Sequence, residues 1–373
     1  MQRRAFLASG AALAAGPAPA AITPRADRVS FLADGINLSP LEYSRLLARV
    51  VEEKNIQPDS YALGGAIAQL EERFAALLGK EQAVFLPTGT LANHLAVRLL
   101  AGQKRRVLVQ QESHLYNDCG DCAQTLSGLN LVPLAAGRAT FTAEEVAGQL
   151  VLSATGRVPT PVGAIQIESP VRRKQGELFD FDAMQKVCAM ARENQIGLHL
   201  DGARIFLASA YTGISPAQYA SLFDTVYVSL YKYFNAASGA ILAGPKRLLD
   251  GLYHTRRQFG GGLAHAWPLA AVALHYVEGF DDRFRNAVAA SERLFQQLEV
   301  SGRFRLQRIQ PGSNLARLRL RQGDPAAFRA RLAEKAISIA APDGAGVILV
   351  AVNETVLRRP TGEIARDFVS ALG

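Results

Sequence analysis

"TVYVSLYKYFNAASGAILAG", residues 225–244, decides how the rest of the chain is read. An apolar, β-branched run (225–230) leads to a lone lysine, Lys232. A stretch of small residues follows, then a second apolar run (239–244). Runs that are apolar at nearly every position predict strands buried on both faces. An ammonium at the end of such a strand is costly to bury without a partner. Lys232 is therefore either a solvated charge or a desolvated amine, and a lowered pKa would make that amine a nucleophile toward carbonyls.

The same texture repeats upstream. Candidate strands at 83–87, 106–110, 131–134, 163–168 and 196–201 alternate with helix-like stretches such as 90–101 and 180–194. The alternation predicts an α/β large domain, 56–250, around a mostly parallel sheet covered on both faces. From about residue 251 the pattern changes. "HTRRQFGGGLAHAW" forms a glycine-rich joint, and a long helical region follows at roughly 265–300. Then come the strand-like runs "FRLQRI", "NLARLRL" and "GVILVAV". These predict a smaller C-terminal α+β domain, 251–373, with residues 21–55 as an N-terminal arm.

The 373 residues are enough for two cored domains. Of the net charge of +8, two charges are Arg3 and Arg4, and the rest are dispersed. No basic tract is interleaved with aromatics, so nucleic acid is not expected as a partner. No apolar run is long enough to span a bilayer, so no membrane association is expected either. The opening "MQRRAFLASGAALAAGPAPA" pairs twin arginines with a weakly apolar stretch and a small-residue end. This predicts a Tat-type signal peptide over 1–20 and a periplasmic or exported protein; the alternative is an alanine-rich leader on a cytoplasmic one. Cys119 and Cys122 have redox-motif spacing in "CGDC" but do not sit at a clear strand-to-helix turn. No histidine cluster accompanies them, so no metal site is expected.

In an open parallel sheet, ligands bind at the carboxyl ends of the strands. Thr88-Gly89-Thr90 opens a helix after one strand and is either a phosphate cup or ordinary N-capping. His114 lies just past another strand. Asp201 ends "IGLHLD" and needs a cationic N–H, from Arg204 or from a protonated ring nitrogen. Lys232 follows one strand-helix-strand unit later. A phosphate cup, a ring-sized aromatic partner, an anion for a pyridinium and an amine for an aldehyde are the contacts that pyridoxal 5′-phosphate needs. In that reading Lys232 holds the aldehyde as a Schiff base and later moves protons.

These segments resemble the aromatic amino-acid β-eliminating lyase/threonine aldolase family of fold-type-I pyridoxal-phosphate enzymes. The resemblance is carried by "YALGGAIAQLEERFAALLGKEQAVFLPTGTLANHLAV", "ESHLYND", "HLDGAR", "LYKYFNAASGAILAG" and "RRQFGGG". It implies that His114 stacks on the cofactor ring and that Asp201 faces the pyridine nitrogen. Arg204 would lie near the ring oxygen or the substrate carboxylate, and Lys232 and His114 would be catalytic. It also implies a lyase acting on an amino acid, by retro-aldol cleavage or β-elimination. Aminotransfer, racemisation, or a non-catalytic exported binding protein are the alternatives. A homodimer or dimer of dimers is expected. The departures are Ala33 for the family's serine, Val171 for a histidine, Ile348 for a late arginine and Tyr231 for the serine before the lysine. Arg172 or Arg173 would then be a substitute carboxylate clamp or simply a solvated basic turn. Tyr61 would reach a site at a subunit interface or be a packed surface aromatic.

Overall fold

A computed structural model describes residues 27–373. The twin-arginine segment at 1–20 and the first residues of the arm lie outside the described residues. The short strand β1 (Val29–Ser30) is the first element among the described residues.

The central sheet has seven strands: β2 (Gln82–Leu86), β3 (Arg106–Gln110), β4 (Asn130–Leu134), β5 (Val162–Glu168), β6 (Gly197–Asp201), β7 (Thr225–Ser229) and β8 (Ala240–Gly244). Their spatial order is β2-β8-β7-β6-β5-β3-β4. Each lies within a residue of its apolar run at either end. β5, β7 and β8 are buried at every residue, as continuous apolarity requires of strands covered on both faces. The one reversal is β8, antiparallel to both β7 and β2. Only residues 230–239 separate β7 from β8, whereas a parallel crossover needs about a dozen residues or more. The lysine loop is therefore also the reason for the reversal.

Helices cover both faces. α1 (Pro40–Lys54) lies inside the expected arm and is announced by a capping box, in which Ser39 and Glu42 satisfy each other's backbone N–H groups. α2 (Gly65–Leu78) follows, and α3 (Gly89–Ala101) packs across β5 to β8. The helical region expected at 265–300 is two helices, Trp267–Val277 and Phe280–Val300. They are split at Gly279, whose φ of 62° is left-handed and suits glycine.

The C-terminal part is a three-stranded antiparallel sheet of β9 (Phe304–Arg308), β10 (Leu315–Leu320) and β12 (Ile348–Ala351), in the order β12-β10-β9. Its helices are Pro325–Glu334 and Thr361–Ser370. β11 (Ile337–Ser338) pairs in parallel with β1, which ties the arm to this part. One apolar cluster runs through both parts of the molecule. Among the described residues, no helix is long and apolar enough to cross a membrane.

Candidate active site

β3, β5, β6 and β7 are neighbours in the sheet, so the residues past their carboxyl ends converge. His114 opens α4 (His114–Asn117) beyond β3, Glu168 ends β5, Asp201 ends β6, and Lys232 follows β7. They share a cavity of about 960 Å³ with Asp34 and Arg204.

The lysine loop is pinned by the arm. Asn235, left-handed at φ 56°, accepts the Ile36 N–H at 2.8 Å and donates to the Tyr233 carbonyl at 3.1 Å. A Cβ on Gly35 would lie 2.2 Å from the Lys232 carbonyl oxygen, so only glycine allows this approach. Lys232 Nζ stands 4.6 Å from the Tyr231 ring centroid and 5.9 Å from that of Tyr227. It makes no hydrogen bond or ion pair among the described residues. Burial, and then the Arg204 guanidinium, lower its pKa to about 8. At pH 7 roughly a tenth of such amines are neutral, against about one in three thousand at the ordinary value.

Asp201 accepts at both oxygens, from Asn93 Nδ2 at 2.6 Å and from the Ala203 N–H at 3.2 Å. Asn93 Oδ1 in turn lies 2.8 Å from His199 Nε2, and His199 Nδ1 lies 2.9 Å from Thr225 Oγ1. Arg204 does not serve as the partner of Asp201. Its Nε donates to Asp34 Oδ2 at 2.7 Å, and Asn314 holds the other Asp34 oxygen at 3.1 Å.

His114 donates its backbone N–H to Glu168 Oε2 at 2.5 Å, and its Nδ1 is 3.4 Å from Asp118 Oδ2. The Cys119 thiol beside it raises its pKa against the opposing effect of burial, and the Asp201 carboxylate adds to the rise. Glu168's second oxygen accepts the Arg172 N–H at 2.8 Å. Burial, then the neighbouring Asp201, push the Glu168 carboxyl up. Arg172 also lines the cavity, but its Nη1 donates to Asp118 Oδ2 at 2.8 Å, and Arg173 takes the other oxygen at 3.1 Å.

Two sets of expected residues stand apart. Thr88, Gly89 and Thr90 do not line the cavity themselves. Thr88 caps α3 through the Leu91 N–H, and Thr90 Oγ1 lies 3.8 Å from the Cys119 thiol. A Cβ on Gly89 would sit 2.0 Å from the Tyr227 hydroxyl, and Tyr227 is the cavity wall that meets this turn. Tyr61 is not brought to the cavity. It is exposed, left-handed at φ 53°, and lies under the Arg257 guanidinium at 4.6 Å.

Residues 48–319 match the family model described as Beta-eliminating lyase. The chain belongs to the beta-eliminating lyase family. It is 31% identical over 214 residues to a low-specificity L-threonine aldolase of Candida albicans, and that stretch is 56% of either chain. The match thus spans little more than half the length of such curated aldolases. Over 295 residues, 79% of this chain and 74% of the other, it is 26% identical to the alanine racemase TOXG of Cochliobolus carbonum. Among solved structures, a candidate L-allo-threonine aldolase from Listeria monocytogenes superposes with a TM-score of 0.75 at 25% identity, covering 92% of this chain and 95% of that one.

This member of the beta-eliminating lyase family has the fold-type-I architecture, and its relatives are pyridoxal-phosphate-dependent. The donor set fits that cofactor. One unpartnered amine of lowered pKa, one carboxylate fixed by two N–H donors and one imidazole face a cavity in the size range of ligand sites. Two departures also have a place. Ile348 is buried in β12 opposite Leu318, so that position brings no cation to the site. Tyr231 is half-exposed on the cavity wall. Sequence reasoning had not singled out Asn93 or His199. The available signals were His199 lying two residues before Asp201, on the same strand face, and Asn93 lying one helical turn after Gly89.

Proposed function

We propose that the protein is a pyridoxal-phosphate-dependent lyase acting on an amino acid, by retro-aldol Cα–Cβ cleavage or by β-elimination. The observation that carries this reading is the unpartnered Lys232 amine, of pKa about 8, in one cavity with Asp201, His114 and Arg204. When bound, the cofactor supplies an aldehyde carbon for the amine and a ring that accepts the electron pair released at the substrate's α-carbon. Asp201 offers the anion that favours a protonated ring nitrogen. Lys232 Nζ takes or returns the α-proton in elimination. In retro-aldol cleavage a base must take the β-hydroxyl proton, and Lys232 and His114 are the basic nitrogens at hand. Arg204 has its Nε engaged by Asp34, and its remaining N–H groups suit a substrate carboxylate.

The test is product analysis with a panel of β-hydroxy and β-substituted amino acids. Glycine plus an aldehyde supports retro-aldol cleavage. A 2-oxo acid plus ammonia supports elimination. Neither product across the panel refutes the lyase. Racemisation is the second reading, because the alanine racemase match covers more of the chain than the Candida aldolase match. Inversion of L-alanine without cleavage would establish it.

The same reading includes export by the twin-arginine route and a homo-oligomer with Tyr61 and the 260–262 glycines near its boundary. N-terminal sequencing of the protein from cell fractions tests the first. Sedimentation tests the second, and a monomer refutes it. Neither nucleic acid nor a membrane is assigned as a partner.

A further inference from the structure

We infer that Asn93 and His199 are positioning residues that fix Asp201 against the ring nitrogen of the cofactor; this rests on the pyridoxal-phosphate reading above. The strand register sets up the arrangement. His199 and Asp201 alternate onto one face of β6, and Thr225 on β7 is the direct cross-strand partner of His199. α3 packs over this face. Gly89 lets α3 approach the Tyr227 hydroxyl, and four residues on, Asn93 meets both His199 and Asp201.

The donors and acceptors allow one arrangement only. A carboxylate can only accept, so the Asn93 NH₂ faces Asp201 and its carbonyl faces His199. His199 Nε2 must then carry the proton and donate to that carbonyl. Burial holds the ring neutral, with its pKa lowered to about 4, so Nδ1 is unprotonated and accepts from the Thr225 hydroxyl. Asn93, His199 and Thr225 are fully buried, and Asp201 nearly so. Taken donor to acceptor, these bonds run in one direction, Thr225→His199→Asn93→Asp201. Without the His199 N–H, the amide of Asn93 is free to turn and stops presenting a donor to Asp201.

The test is equilibrium binding to the apoprotein of pyridoxal phosphate and of its analogue with carbon in place of the ring nitrogen. The parent should bind the natural cofactor more tightly, and Asp201→Ala should erase the preference. Asn93→Ala and His199→Phe should each narrow it by about tenfold, with little effect on the analogue. His199→Gln, whose amide N–H can still donate to Asn93, should retain it. Thermal melts of each apoprotein check folding, and if either disruptive variant fails to fold, the other together with His199→Gln decides the outcome. If the variants keep the full preference, or weaken both ligands equally, the positioning role is overturned while the cofactor reading stands. If the parent binds both ligands equally, Asp201 does not face the ring nitrogen and the positioning role falls alone; if it binds neither, the cofactor reading falls with it.

Discussion

The two ends of the cavity are built on opposite terms. At the rear, Asp201, Asn93, His199 and Thr225 are buried and joined by hydrogen bonds of 2.6–2.9 Å from three different elements. At the mouth, Asp118 collects His114, Arg172 and Arg173, and the two arginine side chains are about half-exposed. In a dry network each missing partner leaves an unsatisfied polar group, so the rear tolerates little change. Exposed ion pairs contribute only about 0–1 kcal/mol. On the proposed function, the rear would fix the cofactor chemistry, and the mouth would be free to change which molecule reaches it.

The contrast is broken most severely at Lys232. Lys232→Ala should abolish borohydride-stable attachment of the cofactor and lower turnover by about 10²–10⁴-fold, the usual weight of a proton-transferring group. Peptide mapping after reduction, with single-turnover assays, measures both. Full activity without the amine would place the chemistry elsewhere.

Asp34→Ala comes next. Asp34 links the arm to Arg204 on one side and to Asn314 on the other. Its loss leaves a partly buried guanidinium without its charge-assisted partner, at a cost of about 1.5–3 kcal/mol. Denaturant midpoints should fall accordingly, and a change under 1 kcal/mol would class the pair with those at the mouth. Gly35→Ala is milder. Its Cβ would press on the Lys232 carbonyl, and such overpacking costs about 1–3 kcal/mol. Cofactor affinity should fall with stability, because the displaced backbone carries the reactive amine.

How much of this was legible in the chain follows from distance along it. The seven strands were readable because continuous apolar runs report burial locally. Asp201 and Lys232 were readable because each ends such a run. The reversal of β8 was implicit in the short 230–239 loop. The partner of Arg204 was not readable, because Asp34 lies 170 residues away and an arginine next to Asp201 suggests a local pair. The Asn93–Asp201 contact spans 108 residues, and an asparagine inside an amphipathic helix announces nothing by itself. The Thr-Gly-Thr turn read equally well as a cup or a cap, and Thr88 does cap its helix. α1 was missed although "SPLE" spells its capping box.

Acidity gives a smaller test of the same asymmetry. The lowered Lys232 pKa, about 8 against an ordinary 10.5, makes the reactive form the neutral one. Cofactor uptake by the apoprotein should quicken about fivefold between pH 7 and 8 and level off above about pH 9. Between about pH 8 and 10.5 the unfolded chain binds more protons at this site than the folded one, so this group makes the fold more stable as pH rises through that window. Uptake that keeps rising toward pH 10.5 would mean that the amine is not desolvated.

The smallest effect on stability, and the sharpest on selectivity, is expected at Arg172. Its side chain is about half-exposed, and Arg173 holds the other oxygen of the same carboxylate, so Arg172→Ala should move stability by no more than about 0.5 kcal/mol. The cavity still loses one of the two guanidinium groups on its wall, and the remaining one, Arg204, is already paired with Asp34. If Arg172 meets the substrate's carboxylate, KM should rise severalfold with kcat unchanged, because the contact is made equally before and during the reaction. Added salt should then weaken substrate binding to the parent more than to the variant, since a cation open to solvent is screened. If KM holds steady in both, Arg172 only tethers Asp118, and the carboxylate must be met deeper, at Arg204, where the rear of the cavity also governs which substrate is accepted.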